Sequence, residues 1–294
     1  MSRIYLVDAS LYVFRAWHSI PDEFNDVDGH AVNAVHGFAR FLLELVEREQ
    51  PQHIAVAFDE ALESSFRNDW YPEYKANREP APESLKRQFA YCQAVSRALG
   101  LCTLSDARYE ADDLIGTLLV RQRAQGFSGV IVSADKDLSQ LLGPGDLQWD
   151  YARQQRWGAD GVHERHGVHA HQMADFLGLT GDAIDNIPGV PGIGAKTAAA
   201  LLAHFGSLDA LLARIEELPF LRLRGAAQHA ARLREHRELA LLSRRLATIA
   251  LDAPLPEEVG DARRNAADRA ALEALMERLR FGPITRRRAL AQAG

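Results

Sequence analysis

Short apolar runs alternate with stretches of helical periodicity over the first half of the chain. Five apolar runs predict strands, and the last of them predicts a strand near a sheet edge: RIYLVDAS, HIAVAFDEA, LCTLSD, GVIVSADKD and LQWDYA. Helical spacing predicts helices in AVHGFARFLLELVERE, SLKRQFAYCQAVSRALG and the run that begins at YEADDLIGTLL. This alternation indicates an α/β fold with a mostly parallel central sheet flanked by helices on both faces.

The strand pattern disappears near residue 165, where short helices joined by Gly and Pro turns take over. We therefore predict an α/β domain over residues 1–165 and a small all-helical domain over residues 166–294. Sequence patterns fix such a boundary only to within about ten residues.

Composition is that of a globular protein with a sizeable core, because the 294 residues are 47% hydrophobic and 25% charged. No apolar run approaches the ~20 residues that a membrane helix needs, and the N-terminal run is too short for a signal peptide. The two cysteines, Cys92 and Cys102, have no metal-ligand spacing. We expect reduced thiols in a cytoplasmic protein without a membrane partner.

The formal net charge of −6 argues weakly against a nucleic-acid partner. The charges are unevenly distributed, however. Acids gather in a few short stretches, and bases gather in FLRLRGAAQHAARLREHRELALLSRR and ITRRRAL. Cations bound at an acidic cluster would neutralise it, so the net charge overstates the repulsion of phosphate.

Carboxylates from separate parts of the chain are expected to meet at one edge of the sheet. They follow three predicted strands or begin the helix after a fourth, at Asp8, Asp59, Asp135 and Asp137, and at Glu110, Asp112 and Asp113. Any one of them could be a helix cap or a turn residue. Together they would repel one another unless cations lay among them or their pKa values rose. Mg²⁺ or Mn²⁺ suits such oxygen ligands, and two ions about 4 Å apart suit phosphodiester hydrolysis.

A second constellation lies in GLTGDAIDNIPGVPGIGAKTAAALL, which adds Asp182 and Asp185. A Gly/Pro hairpin leads there into a helix that begins near Ala195, beside Lys196. Free N–H groups at a helix start bind anions, so this element suits a DNA phosphate, although a helix–helix corner would have the same composition.

The same stretch does not fit a P-loop. Gly189 and Gly194 have the required spacing, but Ala195 stands where that motif needs lysine. We therefore expect no nucleotide cofactor.

Basic and aromatic residues are interleaved in SSFRNDWYPEYKANR, where Arg67, Lys75 and Arg78 alternate with Trp70, Tyr71 and Tyr74. Rings for stacking and cations for phosphate suit a single strand of nucleic acid. A plain solvated loop is the alternative.

These stretches together resemble the structure-specific 5′-nuclease family, the flap endonucleases and 5′-to-3′ exonucleases. That family includes the N-terminal nuclease domain of bacterial DNA polymerase I and the stand-alone exonuclease IX. The motifs that carry the resemblance run in order over residues from about 4 to 205: LVDASLYVFRAWH, FDEALESSFRNDWYPEYKANR, YEADDLIGTLL, IVSADKDLSQLL and GDAIDNIPGVPGIGAKTA. The resemblance implies a PIN/resolvase-like domain, with a helical arch at about 60–90, and then a helix–three-turn–helix element at about 182–205.

The resemblance also implies two metal groups. Asp8, Asp59, Glu110 and Asp112 would surround a first Mg²⁺ or Mn²⁺ ion; Asp113, Asp135, Asp137, Asp182 and Asp185 would lie at or between the first and the second. Lys75 and Arg78 would face the scissile phosphate, and Asp113 is expected beside them in catalysis.

The expected partner is branched or 5′-flapped DNA, bound by a monomer. The implied DNA-binding residues are Arg67, Tyr74, Lys75, Arg78, Gly192, Ile193, Gly194, Ala195, Lys196 and Thr197. In this family the helical element often binds K⁺ through backbone carbonyls; the matching positions are Leu179, Thr180, Pro188, Val190 and Ile193.

The chain departs from the family pattern in places. DAS replaces the commoner DGS at Ala9, and Asp182 and Asp185 are acids that the exonuclease IX type tends to lack. Residues after about 245 match nothing in the family pattern. A nuclease acting on RNA, a non-catalytic junction-binding protein and a phosphate-binding switch protein remain alternatives, and the balance between exonuclease and endonuclease action stays open.

Overall fold

One six-stranded sheet forms the centre of the first domain in the computed structural model, which describes residues 2–60 and 65–293. Its strands are β1 Ser2–Asp8, β2 His53–Asp59, β3 Cys102–Asp106, β4 Phe127–Val132, β5 Leu147–Asp150 and β6 Gln155–Trp157. They are ordered β3-β2-β1-β4-β5-β6; β1 to β5 pair in parallel, and β6 is antiparallel to β5. The predicted, mostly parallel sheet is confirmed. Strand β6 was not predicted, because three residues are too few to leave a periodic pattern.

Twelve α-helices are described around the sheet and in the C-terminal half of the chain. They are α1 Ala9–Ser19, α2 Asn33–Glu49, α3 Glu83–Ala98, α4 Ala111–Arg123, α5 Ala159–His166, α6 Met173–Thr180, α7 Ala195–Phe205, α8 Leu208–Ala213, α9 Ala226–Glu235, α10 Arg237–Ala247, α11 Arg269–Arg278 and α12 Pro283–Ala291. Within the described ranges, no helix is both long enough and apolar enough to cross a bilayer.

Apolar side chains of the central strand alternate between two hydrophobic clusters. Ile4 and Leu6 pack with the apolar face of α4, whereas Tyr5 and Val7 pack with α1 and α2. Both faces of the sheet are therefore covered, which explains why its strands are continuously apolar. The parallel strands bring their carboxyl ends to one edge, as predicted.

The last forty residues or so return to the α/β domain, which corrects the prediction of a helical DNA-binding domain over 166–294. Ile54 N donates to Ala262 O at 2.9 Å, and Asn265 N donates to Gly100 O at 2.8 Å. Helix α11 then packs on α3, and α12 packs on α2. Leu272, a buried residue of α11, joins the cluster around α2. Burial of the apolar face of these helices holds the segment there.

The expected helical arch at about 60–90 is not seen in the part of it that the structure describes, and residues 61–64 lie outside the described residues. A short 3-10 helix, Phe66–Asp69, and turns precede α3. Helix α3 then packs on α2, where Gln88 Oε1 accepts from Ala34 N at 2.7 Å. Residues 83–90 thus belong to the helical layer on the sheet, because this buried amide contact fixes them there.

Candidate active site

Eight acids meet at the carboxyl edge of the sheet and form what we call the acidic pocket: Asp8, Asp59, Glu110, Asp112, Asp135, Asp137, Asp182 and Asp185. Asp8 ends β1 and caps α1, where it accepts from Leu11 N at 3.3 Å and from Ser133 Oγ at 2.8 Å. Asp59 ends β2 and accepts from Ala111 N, at the start of α4, at 2.8 Å. The strand ends and the α4 start therefore orient these carboxylates together, as the sequence predicted.

Repulsion within the acidic pocket is expressed in the pKa values of its members. Burial, and then the charge of Asp59, raise the pKa of Asp8 to about 7. Burial raises the pKa of Asp112 well above its usual range, and the charges of Asp135 and Asp8 add to the shift. These carboxylates therefore share one region of negative potential, which bound cations would stabilise.

Asp135 and Asp137 follow β4 and lie nearer the mouth of the pocket. Desolvation raises the pKa of Asp135 even though the hydrogen bond from Asp137 N opposes the shift. Its side chain reaches solvent through the mouth while the rest of the pocket surrounds it. Desolvation raises the pKa of Asp137 still further, and Asp135, Asp182 and Asp185 contribute charge to the shift. The negative charges of Asp135, Asp137, Asp182 and Asp185 thus interact with one another as part of the acidic pocket.

Two carboxylate oxygens of the acidic pocket have no hydrogen-bond partner among the described residues although both are buried: Glu110 Oε1 and Asp137 Oδ1. Glu110 is ionised, because the charges of Lys75 and Arg67 outweigh the effect of burial and lower its pKa to about 2. A buried carboxylate oxygen without a hydrogen-bond donor is costly unless a cation lies beside it, and at Glu110 Oε1 the Arg67 guanidinium lies 4.0 Å away. These oxygens therefore fit a divalent metal ion.

Three basic side chains pair with acids at the margin of the pocket. Lys75 Nζ contacts Glu110 Oε2 and lies 3.6 Å from Asp185 Oδ2, while Arg78 contacts Asp185 and Lys136 contacts Asp182. Lys75 adopts a left-handed φ of 56°, and its N–H donates to Asp185 O at 3.0 Å. This backbone contact holds the loop that carries Lys75 and Arg78, so the charges of these two side chains lie over the pocket. Lys136 lies in the ADKD motif but had no predicted role.

Arg67 and Asp113 correct two predictions. Arg67 was expected to bind DNA, but only 3% of it is exposed, and its guanidinium donates to both carboxylate oxygens of Asp113 at 2.8 Å. Asp113 was expected to bind metal and act in catalysis, yet it is fully buried and also accepts from Ala250 N at 2.8 Å. Because donors from the protein occupy both oxygens of the Asp113 carboxylate, Asp113 has a structural role. The Arg67–Asp113 ion pair connects separate segments of the chain.

Tyr74, an expected DNA-binding residue, lies beside Glu110 and Asp185 and lines the neighbouring cavity, so its role in binding DNA stays a prediction. Its ring is buried, and its hydroxyl lies 3.2 Å from Glu110 Oε2 and 3.4 Å from Asp185 Oδ2. A cavity of about 660 Å³ opens beside it, with Phe14 and His18 of α1 in its lining. Both lie on α1, before the predicted loop, and their spacing of four residues places them on one face of that helix, but no sequence pattern linked them to this cavity.

The predicted hairpin leads from α6 into α7 and presents backbone to solvent. Gly189 has a φ of 63°, and a Cβ atom there would lie 2.2 Å from Gly181 N, so glycine is required. Gly192, Gly194, Ala195 and Lys196 are exposed and Thr197 is half-buried, whereas the Ile193 side chain is buried. Ile193 can thus offer only its backbone to a ligand.

The five residues of the predicted K⁺ site lie at the two ends of this hairpin. Leu179 O accepts from Val190 N at 2.9 Å, and Val190 O accepts from Ile193 N at 3.0 Å. Thr180 and Pro188 are half-buried beside them. The K⁺ site stays a prediction.

A separate group of potential ligand atoms, Asp26, Asp28 and His30, lies within 4.8 Å of one another. Asp26 Oδ1 accepts from Asp28 N at 2.9 Å and from His30 N at 2.8 Å, and Arg278 pairs with Asp28 at 2.6 Å. These contacts account for the group as a turn between α1 and α2. The acids of the acidic pocket are spaced more widely than this.

These observations define a class of protein. Its members have a resolvase-like α/β domain with an acidic pocket, joined to a helical domain with an exposed glycine-rich hairpin. Residues 3–167 match the 5′-3′ exonuclease N-terminal resolvase-like domain, and residues 168–270 match the 5′-3′ exonuclease C-terminal SAM fold. The chain belongs to this 5′-3′ exonuclease family, which confirms the predicted fold and family.

Curated relatives include DNA polymerase I of Bacillus caldotenax, which is 38% identical over 284 residues, or 95% of this chain and 31% of the relative. DNA polymerase I of Pseudomonas aeruginosa is 40% identical over 279 residues, or 95% of this chain and 30% of the relative. The chain thus spans about a third of the length of these relatives.

Solved structures share the fold at low identity. T5 5′-exonuclease with zinc ions bound has a TM-score of 0.69 and 19% identity, covering 99% of this chain and 98% of that one. The catalytic core of Rad2 in complex with DNA substrate has a TM-score of 0.66 and 13% identity, covering 100% and 92%.

Proposed function

We propose that the protein is a structure-specific 5′-nuclease that hydrolyses DNA phosphodiester bonds near 5′ ends and in 5′ flaps. The observation that carries this proposal is the acidic pocket, in which desolvation and mutual repulsion raise the pKa values of Asp8, Asp112 and Asp135. Such a cluster is destabilising by itself and suits a reaction that needs bound divalent cations.

We assign the divalent ions, Mg²⁺ or Mn²⁺, to two neighbouring groups of carboxylates. Asp8, Asp59, Glu110 and Asp112 would hold the first, and Asp135, Asp137, Asp182 and Asp185 would hold the second. Asp113 is left out, because Arg67 and backbone N–H groups occupy its oxygens. Bound divalent ions would supply an activated water and stabilise the leaving oxygen. The T5 5′-exonuclease structure with bound zinc supports metal use in this fold.

Lys75 and Arg78 act on the phosphate in this proposal. Their charges lie over the pocket, because Lys75 N is held by Asp185 O at 3.0 Å. A phosphate entering the pocket would compete with Glu110 and Asp185 for these cations, which would then stabilise the developing negative charge. The cavity of about 660 Å³ that includes Lys75 and Arg78 in its lining provides the path for the cleaved strand.

Duplex binding is assigned to the hairpin and the start of α7. The exposed N–H groups of Ala195 and Lys196 lie at a helix N-terminus, which favours phosphate, and Lys196 adds a charge. Recognition would follow backbone shape rather than base sequence. K⁺ at the five hairpin carbonyls would help fix this element. We further propose that the protein acts as a monomer in the cytoplasm, where its free thiols, Cys92 and Cys102, would stay reduced.

The test is cleavage of a labelled 5′-flap duplex with Mg²⁺ by the Asp135→Asn variant. We expect a loss of activity of at least about 100-fold, because a cation ligand is neutralised. Asp160→Asn, an exposed acid at the start of α5, is the matched control and should cleave like the wild type. Unchanged cleavage by Asp135→Asn would defeat the metal mechanism.

The same assay distinguishes this proposal from its alternatives. An RNA flap of identical sequence distinguishes a ribonuclease from a deoxyribonuclease, since no described feature of the pocket reads the sugar. Product length separates removal of single nucleotides from release of an intact flap. Binding without any cleavage, over a series of divalent metals, would support a non-catalytic junction-binding protein instead.

A further inference from the structure

The hairpin is not the only cationic element at the proposed duplex-binding surface, because α9 brings an arginine onto it. Arg232 Nη1 donates to Gly192 O at 2.9 Å. Gly192 lies three residues before α7 and has a φ of 77°. The guanidinium therefore lies beside the backbone that leads into the exposed helix start.

Glycine at position 192 makes room for this guanidinium. A Cβ atom at Gly192 would lie 2.1 Å from Arg232 Nη1 and 2.5 Å from its Cζ. The arginine thus occupies the space that any other side chain would fill. Arg232 and Gly192 are 40 residues apart in the sequence, so their spacing alone gave no sign of this contact.

The charge of Arg232 is not matched by an acid in the described residues. Its one hydrogen bond goes to a carbonyl, whereas Arg234 on the same helix donates to both carboxylate oxygens of Glu216, at 3.0 and 2.6 Å. A guanidinium has five N–H donors, so most of those of Arg232 remain free for a second acceptor. Planar forked donors suit a phosphate better than a single ammonium does.

We propose that Arg232 is a substrate-binding residue that holds a backbone phosphate of the duplex together with Lys196 and the N–H groups at the start of α7. The assignment rests on the proposed function and extends its binding surface from the hairpin to α9. The ligand is a phosphodiester of duplex DNA, bound irrespective of base sequence. Gly192, whose φ of 77° favours glycine, leaves the guanidinium room to lie beside the hairpin backbone, where both could contact the same phosphate.

The test is fluorescence anisotropy of a labelled 5′-flap duplex with the full chain in EDTA, so that no cleavage occurs. Affinity is measured over a KCl series from about 50 to about 200 mM, a range in which each phosphate contact has a clear effect. Arg232→Ala should weaken binding by about ten-fold at the lowest salt and reduce the salt slope by less than the value of about 0.9 for a whole phosphate contact, because Lys196 still contacts the same phosphate. The loss should be equal for duplexes of different sequence.

Arg232→Gln separates a binding role from a structural one. Glutamine can still donate to Gly192 O but has no charge, so it should bind as weakly as Arg232→Ala. Arg234→Ala is the matched control, because its charge is already paired with Glu216, and its affinity should stay within about two-fold of the wild type. The thermal midpoint of each variant verifies folding. Wild-type affinity and salt slope in Arg232→Gln would overturn the assignment.

Lys196→Ala distinguishes failure of this inference from failure of the proposed function. If Lys196→Ala weakens binding while Arg232→Gln does not, Arg232 is no ligand and the hairpin assignment stands. If neither substitution has an effect, or the wild type does not bind the duplex, both assignments fail. Because both cations are assigned to one phosphate, the combined variant should lose less than the product of the two single losses.

Discussion

Arg67 and Asp113 form a buried ion pair that joins three separate parts of the chain. The Arg67 guanidinium also donates to Leu246 O at 2.8 Å and to Thr248 O at 3.0 Å, and Asp113 accepts from Ala250 N at 2.8 Å. The loop before α3, the start of α4, and the end of α10 with the segment that follows it are thereby held together. Complete pairing makes this buried pair tolerable, since each charge has its donors or acceptors.

Breaking the pair should destabilise the fold rather than remove a metal ligand. We expect Arg67→Met to lower the free energy of unfolding by about 3–5 kcal/mol, because Asp113 is left charged and unpaired in the interior. Urea denaturation measures the change. Asp69→Asn, which removes the exposed partner of Arg108, should change stability by less than about 1 kcal/mol. Asp113→Asn that folds as stably as the wild type but loses cleavage would restore Asp113 to the catalytic residues.

Removing divalent metal should make stability depend on pH. The folded pKa of Asp8 is raised to about 7, whereas a free aspartate titrates near 4, so its contribution is lost as pH rises through that interval. In EDTA the thermal midpoint should therefore fall as the pH rises from about 4 to about 7. Excess Mg²⁺ should abolish the fall, because it binds the ionised, folded form.

Asp8→Asn provides the control for this metal dependence, since asparagine keeps the cap of α1 but carries no charge. Its midpoint in EDTA should fall less between the same pH values. Identical pH profiles with and without Mg²⁺ in the wild type would show that no cation binds among these carboxylates.

Lys75 and Arg78 should matter more for turnover than for duplex binding. We expect Lys75→Ala and Arg78→Ala each to lower kcat by about 100-fold or more, since each removes a cation from the developing charge. Single-turnover cleavage of the 5′-flap duplex gives the rate, and anisotropy in EDTA gives the affinity. Arg87→Ala, an exposed residue on α3, is the control. Loss of affinity with an unchanged rate would mean that the two cations only bind DNA.

His36 should make the attachment of the C-terminal segment weaken in acid. Its Nε2–H donates to Leu279 O at 2.8 Å, and its ring stacks on Phe281 with centroids 4.1 Å apart. Burial lowers the pKa of His36, so the unfolded chain takes up the proton first and stability falls as pH drops below about 6.5. His36→Gln should flatten the dependence of the urea midpoint between about pH 5 and pH 7. His171→Gln, a substitution of an exposed histidine, should leave the pH dependence of the urea midpoint unchanged.

Strand ends were predictable from the sequence, because in a parallel sheet every apolar run ends at the same edge. Asp8 and Asp59 could thus be placed near one another without coordinates. Burial of the cationic side chain of Arg67 could not be foreseen. Alternating bases and aromatics look alike whether a guanidinium faces DNA or an interior acid, and its partner Asp113 lies 46 residues further on.

Long-range packing accounts for the other differences. Leu272, Met276 and Leu279 have the spacing of an amphipathic helix. That spacing does not indicate whether the helix packs on α3 or on the neighbouring helical domain. Similarly, Arg232 and Gly192 meet only because α9 folds back beside the hairpin.

The return of the chain to the α/β domain tethers the helical domain at both of its ends. The polypeptide leaves the sheet after β6 and is fastened again where Ala253 N donates to Thr117 Oγ1 at 3.0 Å. A module anchored twice lacks the freedom to swing about a single pivot. In the proposed function, the double attachment would therefore restrict changes in the separation between the hairpin and the acidic pocket, and that separation would set how far from the junction the strand is cut.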